Sequence, residues 1–199
     1  MAKPGLKFKF NAALAYLGLF SLALLFASAN AHAFCAGTLI KEIKAIAAKP
    51  EIIEAVKTSN ARRLSKEQVI ALDEKWIKLH GQLPEADQIK NSKTSALLAS
   101  EVNRQSYFKE AILIGSLGET VAMNIVTSDY WQGDEDKFTA IFDTNLPSRK
   151  PDSHISRTRW DDSTQAMIAQ VSVPVYDGDN MIGVLTVGVD LKRVPHPNH

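Results

Sequence analysis

The sequence predicts an α+β protein, with long N-terminal helices packed on one face of a five-stranded antiparallel sheet. Three observations predict it. Up to about residue 107, apolar residues recur three and four apart, the helical spacing. After that point the chain changes to short apolar runs rich in β-branched residues. Two of those runs flank Asp177-Gly178-Asp179-Asn180, a hairpin turn.

The elements follow in order. In "TLIKEIKAIAAKPEIIEAVK", Leu39, Ile43 and Ile46, then Ile52, Ile53 and Val56, form one apolar stripe. Pro50 breaks or kinks that helix. "SKEQVIALDEKWIKLHG" opens with Ser65 and Gln68 at capping-box spacing and stops at Gly81. Pro84 breaks the pattern next. "SALLASEVNRQSYF" gives a further amphipathic helix with Leu97, Leu98, Val102 and Tyr107 inward. "EAILIGSLGETVAMNIVTSD" reads as a hairpin of residues 111–114 and 120–126. Residues 127–143 turn helical again, with Trp131, Phe138, Ile141 and Phe142 spaced for one face. "NLPSRKPDS" is a loop and "HISRTRW" one strand. "AMIAQVSVPVYDGDNMIGVLTVGVDL" is the clearest hairpin, and "KRVPHPNH" is a frayed tail.

The first 33 residues have another pattern. Lys3, Lys7 and Lys9 precede the 15-residue apolar run "AALAYLGLFSLALLF", and Ala31-His32-Ala33 offers a cleavage site. That order is a secretory signal peptide, cleaved after about Ala33. The run is short for a membrane span, which needs roughly 20 residues, so an N-terminal anchor is the lesser expectation. The expected location is periplasmic or secreted. Removing those lysines from 23 basic residues leaves 20 against 22 acidic ones, so no basic excess points to nucleic acid. Cys35 is the only cysteine, which excludes an intramolecular disulfide. It reads as an inert residue near a terminus, or as a link to a second molecule.

Three stretches then carry a family resemblance. They are "AILIGSLGETVAMNIVTSDYWQGDE", "RTRWDDST" and the late hairpin with Pro174 inside its first strand and "GVLTVGVDL" closing it. In this order, behind a helical segment and a signal peptide, they resemble a Cache domain, the PAS-like extracytoplasmic sensor module of bacterial receptors. The resemblance spans about residues 94–193. The chain then divides into a signal peptide over 1–33, a helical segment over 34–93 that the resemblance makes a spine, the sensor-like domain, and a tail over 194–199. The resemblance also implies a small-molecule ligand, no cofactor, and a membrane receptor or sensor kinase as partner. The chain stops at His199 with no apolar span after the sensor, so the expectation is either a report passed to another protein or a free periplasmic binding protein that delivers its ligand to a membrane partner. The helical stripe makes a homodimer a further expectation. The alternative is an interaction module of the same fold whose pocket is filled by its own side chains.

The candidate ligand-binding residues are Tyr130, Trp131, Asp134, Arg157, Arg159, Trp160 and Asp190. In "TSDYWQGDEDKF", Thr127, Ser128 or Asp129 can cap a helix, and Asp134, Glu135 and Asp136 suit its positive end. Tyr130 and Trp131 in tandem exceed what a cap needs and suit a pocket wall, which is where the resemblance puts them. On a strand, Arg157 and Arg159 share a face and can hold a carboxylate, or they are solvated. Trp160 then faces the other side. Asp190 can bind an amine or close a strand end. Arg159 and Trp160 are adjacent, unlike the spaced pair of amino-acid-sensing Cache subfamilies, so an amino-acid ligand is not implied. The stretch lacks the ligand order of a calcium loop. No G-x-S-x-G, phosphate loop or H-E-x-x-H is present, so no enzyme activity is expected. The terminal "HPNH" is incidental.

Overall fold

The computed structural model describes residues 36–142, 151–161 and 165–195. The expectations about the signal segment, Cys35, most of the "NLPSRKPDS" loop and the terminal histidines lie outside them. Pro50 divides the first stripe as its missing N–H requires. Helix α1 (36–47) buries Leu39, Ile43 and Ile46, and α2 (Pro50–Ala61) restarts with the proline in its first turn. Helix α3 (Lys66–Lys78) carries the complete capping box of Ser65 and Gln68. Gly81 ends it at φ +72°, with its N–H donated to the Trp76 carbonyl at 2.9 Å. Pro84 does not merely interrupt the pattern. It opens a short helix, α4 (Pro84–Lys90), where a first-turn proline costs no hydrogen bond. In α5 (Lys93–Arg104), Leu98 and Val102 are buried and Leu97 is half-buried, while Tyr107 is buried just past the helix end.

Six strands follow among the described residues: β1 (Phe108–Ile114), β2 (Thr120–Met123), β3 (His154–Ile155), β4 (Arg159–Asp161), β5 (Ala166–Asp177) and β6 (Asn180–Val189). The sheet runs β2-β1-β6-β5-β3, antiparallel throughout, with β4 also paired to β5. The β5–β6 turn places Gly178 at φ +59°. Pro174 falls two residues past the last β3–β5 pair, His154 with Ser172, where no described strand on that side of β5 needs the missing donor. Helices α2, α4 and α5 pack on the sheet, and Thr38–Val194 forms one compact unit. No helix among the described residues is long and apolar enough to cross a membrane. Helices against an antiparallel sheet, with the long late hairpin at its centre, make the α+β architecture that the sequence implied.

Two expectations need correction. The strand expected over 154–160 is split: β3 and β4 are separated by a loop in which Ser156 N–H donates to the Gln170 carbonyl and Ser156 Oγ accepts from Gln170 N–H. Arg157 lies in that break, so it does not share a strand face with Arg159. The helix expected from residue 127 is also absent, apart from the single turn α6 (Asp136–Thr139). The backbone of 130–132 is bonded to distant partners instead of to itself. Thr120 N–H donates to the Tyr130 carbonyl at 2.9 Å, and Gln132 N–H to the Gly118 carbonyl at 2.7 Å. Both Tyr130 and Trp131 N–H groups donate to Asp73 Oδ1. Tertiary acceptors outcompete the helical ladder here.

Candidate ligand cavity

Strand alternation sends Glu110, Ile112 and Ile114 of β1 to one face of the sheet. Ile114 and Ile112 join Phe138, Ile141 and Val184 in a buried cluster. Beside that cluster the same face carries a cavity of about 390 Å³. Its floor is Glu110 and Ile112 from β1 with Ile168 and Gln170 from β5. Arg159 and Asp161 from β4 form one wall, Glu135 and Lys137 another, and residues 125–129 the third.

Two of the charged groups are buried. Glu110 is 9% exposed and Lys137 is 6% exposed. Lys137 Nζ pairs with Glu135 at 3.0 Å. Glu110 Oε1 accepts from Gln170 Nε2 at 2.9 Å. Burial pushes the Glu110 carboxyl above the usual carboxylate range. The Gln170 bond and the Lys137 charge pull it down, and Asp161 and Glu135 push it further up. Gly188 faces Glu110 across the β1–β6 ladder, and a Cβ there would collide with Glu110 Cγ and come within 3.0 Å of Ile168 Cδ1. The absent side chain is what seats the Glu110 stem.

The 125–131 loop is held from behind by α3. Asp73 Oδ1 accepts from Tyr130 N–H at 2.8 Å and Trp131 N–H at 2.9 Å. Trp76 Nε1 donates to the Thr127 carbonyl at 2.9 Å. Thr127 Oγ1 donates to the Asp129 carbonyl, and Gln132 Nε2 to Asp129 Oδ1, both at 2.6 Å. The cavity wall is therefore a braced loop with its outer side fixed to a helix.

Of the seven residues singled out in the sequence, Arg159 lines this cavity, from an exposed position. Tyr130 packs on Trp76, with ring centroids 5.6 Å apart, and faces a separate groove among α2–α5 and β2. Burial, then the nearby Glu119 charge, push its hydroxyl up to about 12. Trp131 lies over Gly118 and Gly133 with Nε1 donating to the Leu117 carbonyl at 2.9 Å, and Lys66 Nζ sits 5.0 Å from its ring. Asp134 and Arg157 are exposed away from the cavity, and Trp160 is 54% exposed. Asp190 closes the end of β6: it accepts from Lys192 N–H at 3.1 Å and pairs with Arg193 at 3.3 Å. Glu110, Lys137, Asp161 and Gln170 carried no motif. The available signal was a pair of polar residues, Glu110 and Gln170, in strand runs that are mostly apolar.

No protein-family model and no curated protein matches the chain. Among solved structures, the V. cholerae histidine kinase DctB sensor domain aligns at TM-score 0.43 and 13% identity over 87% of this chain. The ligand-binding domain of the Campylobacter jejuni chemoreceptor Tlp3, in complex with 4-methylisoleucine, aligns at 0.40 and 15% over 84% of this chain. The E. coli DcuS sensor domain aligns at 0.38 and 16% over 64% of this chain and 90% of its own. The chain spans 58% of the DctB domain and 65% of the Tlp3 domain. These proteins are what the chain is similar to.

Proposed function

We propose that this protein is a periplasmic sensor module that holds a small organic molecule in the sheet-side cavity and reports its presence to a membrane receptor or sensor kinase. It acts by binding, not by catalysis. One observation carries the reading: residues 125–129 wall the cavity, while the loop they belong to is bonded to α3 through Asp73 and Trp76. A ligand that contacts the loop better in one position than another shifts the loop population, and α3 with it. The exposed side of α3 is then a surface a partner can read. The volume of about 390 Å³ lies within the usual range for small-molecule sites, roughly 300–1,000 Å³. The signal-like segment over 1–33 supports the location.

The test is a thermal-shift screen of the mature protein purified from the periplasm, with amines, short carboxylates, sugars and purines. A ligand at 100 times its Kd stabilises by about 2.7 kcal/mol. At about 2–4 °C per kcal/mol for a domain of this size, Tm rises by about 5–10 °C. Ile168→Trp, which fills the cavity, abolishes the shift. A folded protein that answers to nothing would instead be an interaction module with this fold.

A further inference from the structure

The geometry points to an organic ammonium ion, a compact primary or secondary amine on an apolar body, as the ligand of the sheet-side cavity, with Glu110 as its counter-ion. The inference rests on the ligand-binding reading of that cavity and gives its chemical class. The floor carries it. Glu110 is buried, and only one of its two oxygens is used: Oε1 takes Gln170, and no described residue bonds to Oε2. Buried carboxylates are ordinarily paired with a cation or fully hydrogen-bonded. The cavity has two cations among its described residues, and neither forms an ion pair with Glu110. Lys137 is held by Glu135, and Arg159 stands at the exposed rim.

Charge balance agrees. Among the described residues that line the cavity, Glu110, Asp129 and Glu135 outnumber Lys137 and Arg159 even with Asp161 left aside. A carboxylate ligand would enter an excess of its own sign, whereas an ammonium would find Oε2 open and at hydrogen-bond reach from the floor. A divalent metal suits the site less well, since no three His, Cys, Asp or Glu residues among those described are grouped to hold one. Ile112, Ile168 and Ile125 supply the apolar walls, so the ammonium needs a hydrocarbon body. A Cβ at Gly188 would take the space that the Glu110 stem occupies, so the glycine lets that carboxyl sit at the floor.

Proton linkage follows from the groups that face Glu110: Gln170 on β5, Lys137 and Glu135 at α6, Arg159 and Asp161 on β4, and Asp129 on the loop. Burial raises the Glu110 carboxyl above the ordinary glutamate range. An ammonium stabilises the ionised form, so binding releases a proton from Glu110 and strengthens as pH rises through that window.

The experiment is calorimetric titration at pH 5 and pH 8 with isobutylamine, cyclohexylamine and 1,4-diaminobutane, against isobutyrate and isobutanol as isosteres of other charge. Expected is binding of the amines in preference to the isosteres, tighter at pH 8, with heats that vary with buffer ionisation because a proton is released. Glu110→Gln keeps the size of the side chain and loses at least tenfold in amine affinity. Isobutyrate bound in preference, or amine affinity unchanged by Glu110→Gln, overturns the ammonium assignment and leaves the cavity as a ligand site. If no compound of any charge binds, and Ile168→Trp leaves the thermal response to the wider screen unchanged, both the assignment and the ligand-binding reading fail.

Discussion

Replacing Asp73 by alanine should uncouple the cavity loop from α3. Asp73 is 9% exposed, and its Oδ1 accepts two backbone N–H groups, from Tyr130 at 2.8 Å and Trp131 at 2.9 Å. Tyr130 is itself buried and Trp131 half-buried, so water replaces the acceptor poorly. A hydrogen bond to a charged group is worth about 1.5–3 kcal/mol, and two bonds sharing one oxygen do not add fully, which sets the expected loss at about 3 kcal/mol. At about 2–4 °C per kcal/mol, Tm falls by about 6–12 °C. Asp73→Asn keeps one carbonyl acceptor and should lose about half as much. Differential scanning calorimetry measures the shift, and amide hydrogen exchange shows where it arises. The amides of Tyr130 and Trp131 should exchange faster, while those of the β5–β6 ladder keep the protection set by global unfolding. An alanine variant within about 0.5 kcal/mol of wild type, or unchanged exchange at residues 130 and 131, would refute the idea that Asp73 braces the loop.

Three further outcomes are expected. Gly188→Ala should cost about 1–3 kcal/mol through overpacking and remove ligand binding, since its Cβ takes the space of Glu110 Cγ; denaturant titration and calorimetry read the two effects separately. Trp76→Phe should cost about 1–2 kcal/mol by leaving the Thr127 carbonyl without its donor, read as a lower urea midpoint at an unchanged slope. The raised Glu110 means the folded protein binds that proton more tightly than the unfolded chain does. Its contribution to stability is therefore full below the ordinary glutamate value of about 4.3 and is lost as pH rises through the raised value. Glu110→Gln should consequently be more thermostable than wild type at pH 8, with the difference shrinking toward pH 4 in paired melting curves.

The elements that local chemistry determines were legible in the sequence. The capping box at Ser65, the Pro50 break and the Asp177–Asn180 turn each depend on residues within a few positions of one another, and all are present. Residues 127–135 were not legible, because their conformation depends on Asp73 and Gly118, which contact them only after folding. The spacing of Trp131, Phe138 and Ile141 fits a helix, yet the hydrogen bonds of 130–132 go elsewhere. The site was harder still. Asp190 closes on local partners and the Trp131 ring is bonded outside the cavity, whereas Glu110 and Gln170 lie 60 positions apart and meet only because β6 runs between their strands. A polar residue on the inner face of an apolar strand was the mark of the cavity, and tandem aromatics were not.

The strand order has a consequence for how the chain must fold. Strand β1 lies between β2 and β6, so Ile114 pairs with Val184 and Phe108 with Val189. Those partners are about as distant in sequence as the sheet allows, and closing such long loops is slow relative to forming the adjacent β5–β6 hairpin. Until β6 arrives, one long side of β1 presents unpaired N–H and C=O groups beside the apolar Ile112–Leu113–Ile114 run, a template for pairing with other chains. A nascent or truncated chain lacking residues beyond about 180 would therefore be sticky, not merely incomplete. Holding the chain unfolded until its last strand is available would spare it that hazard.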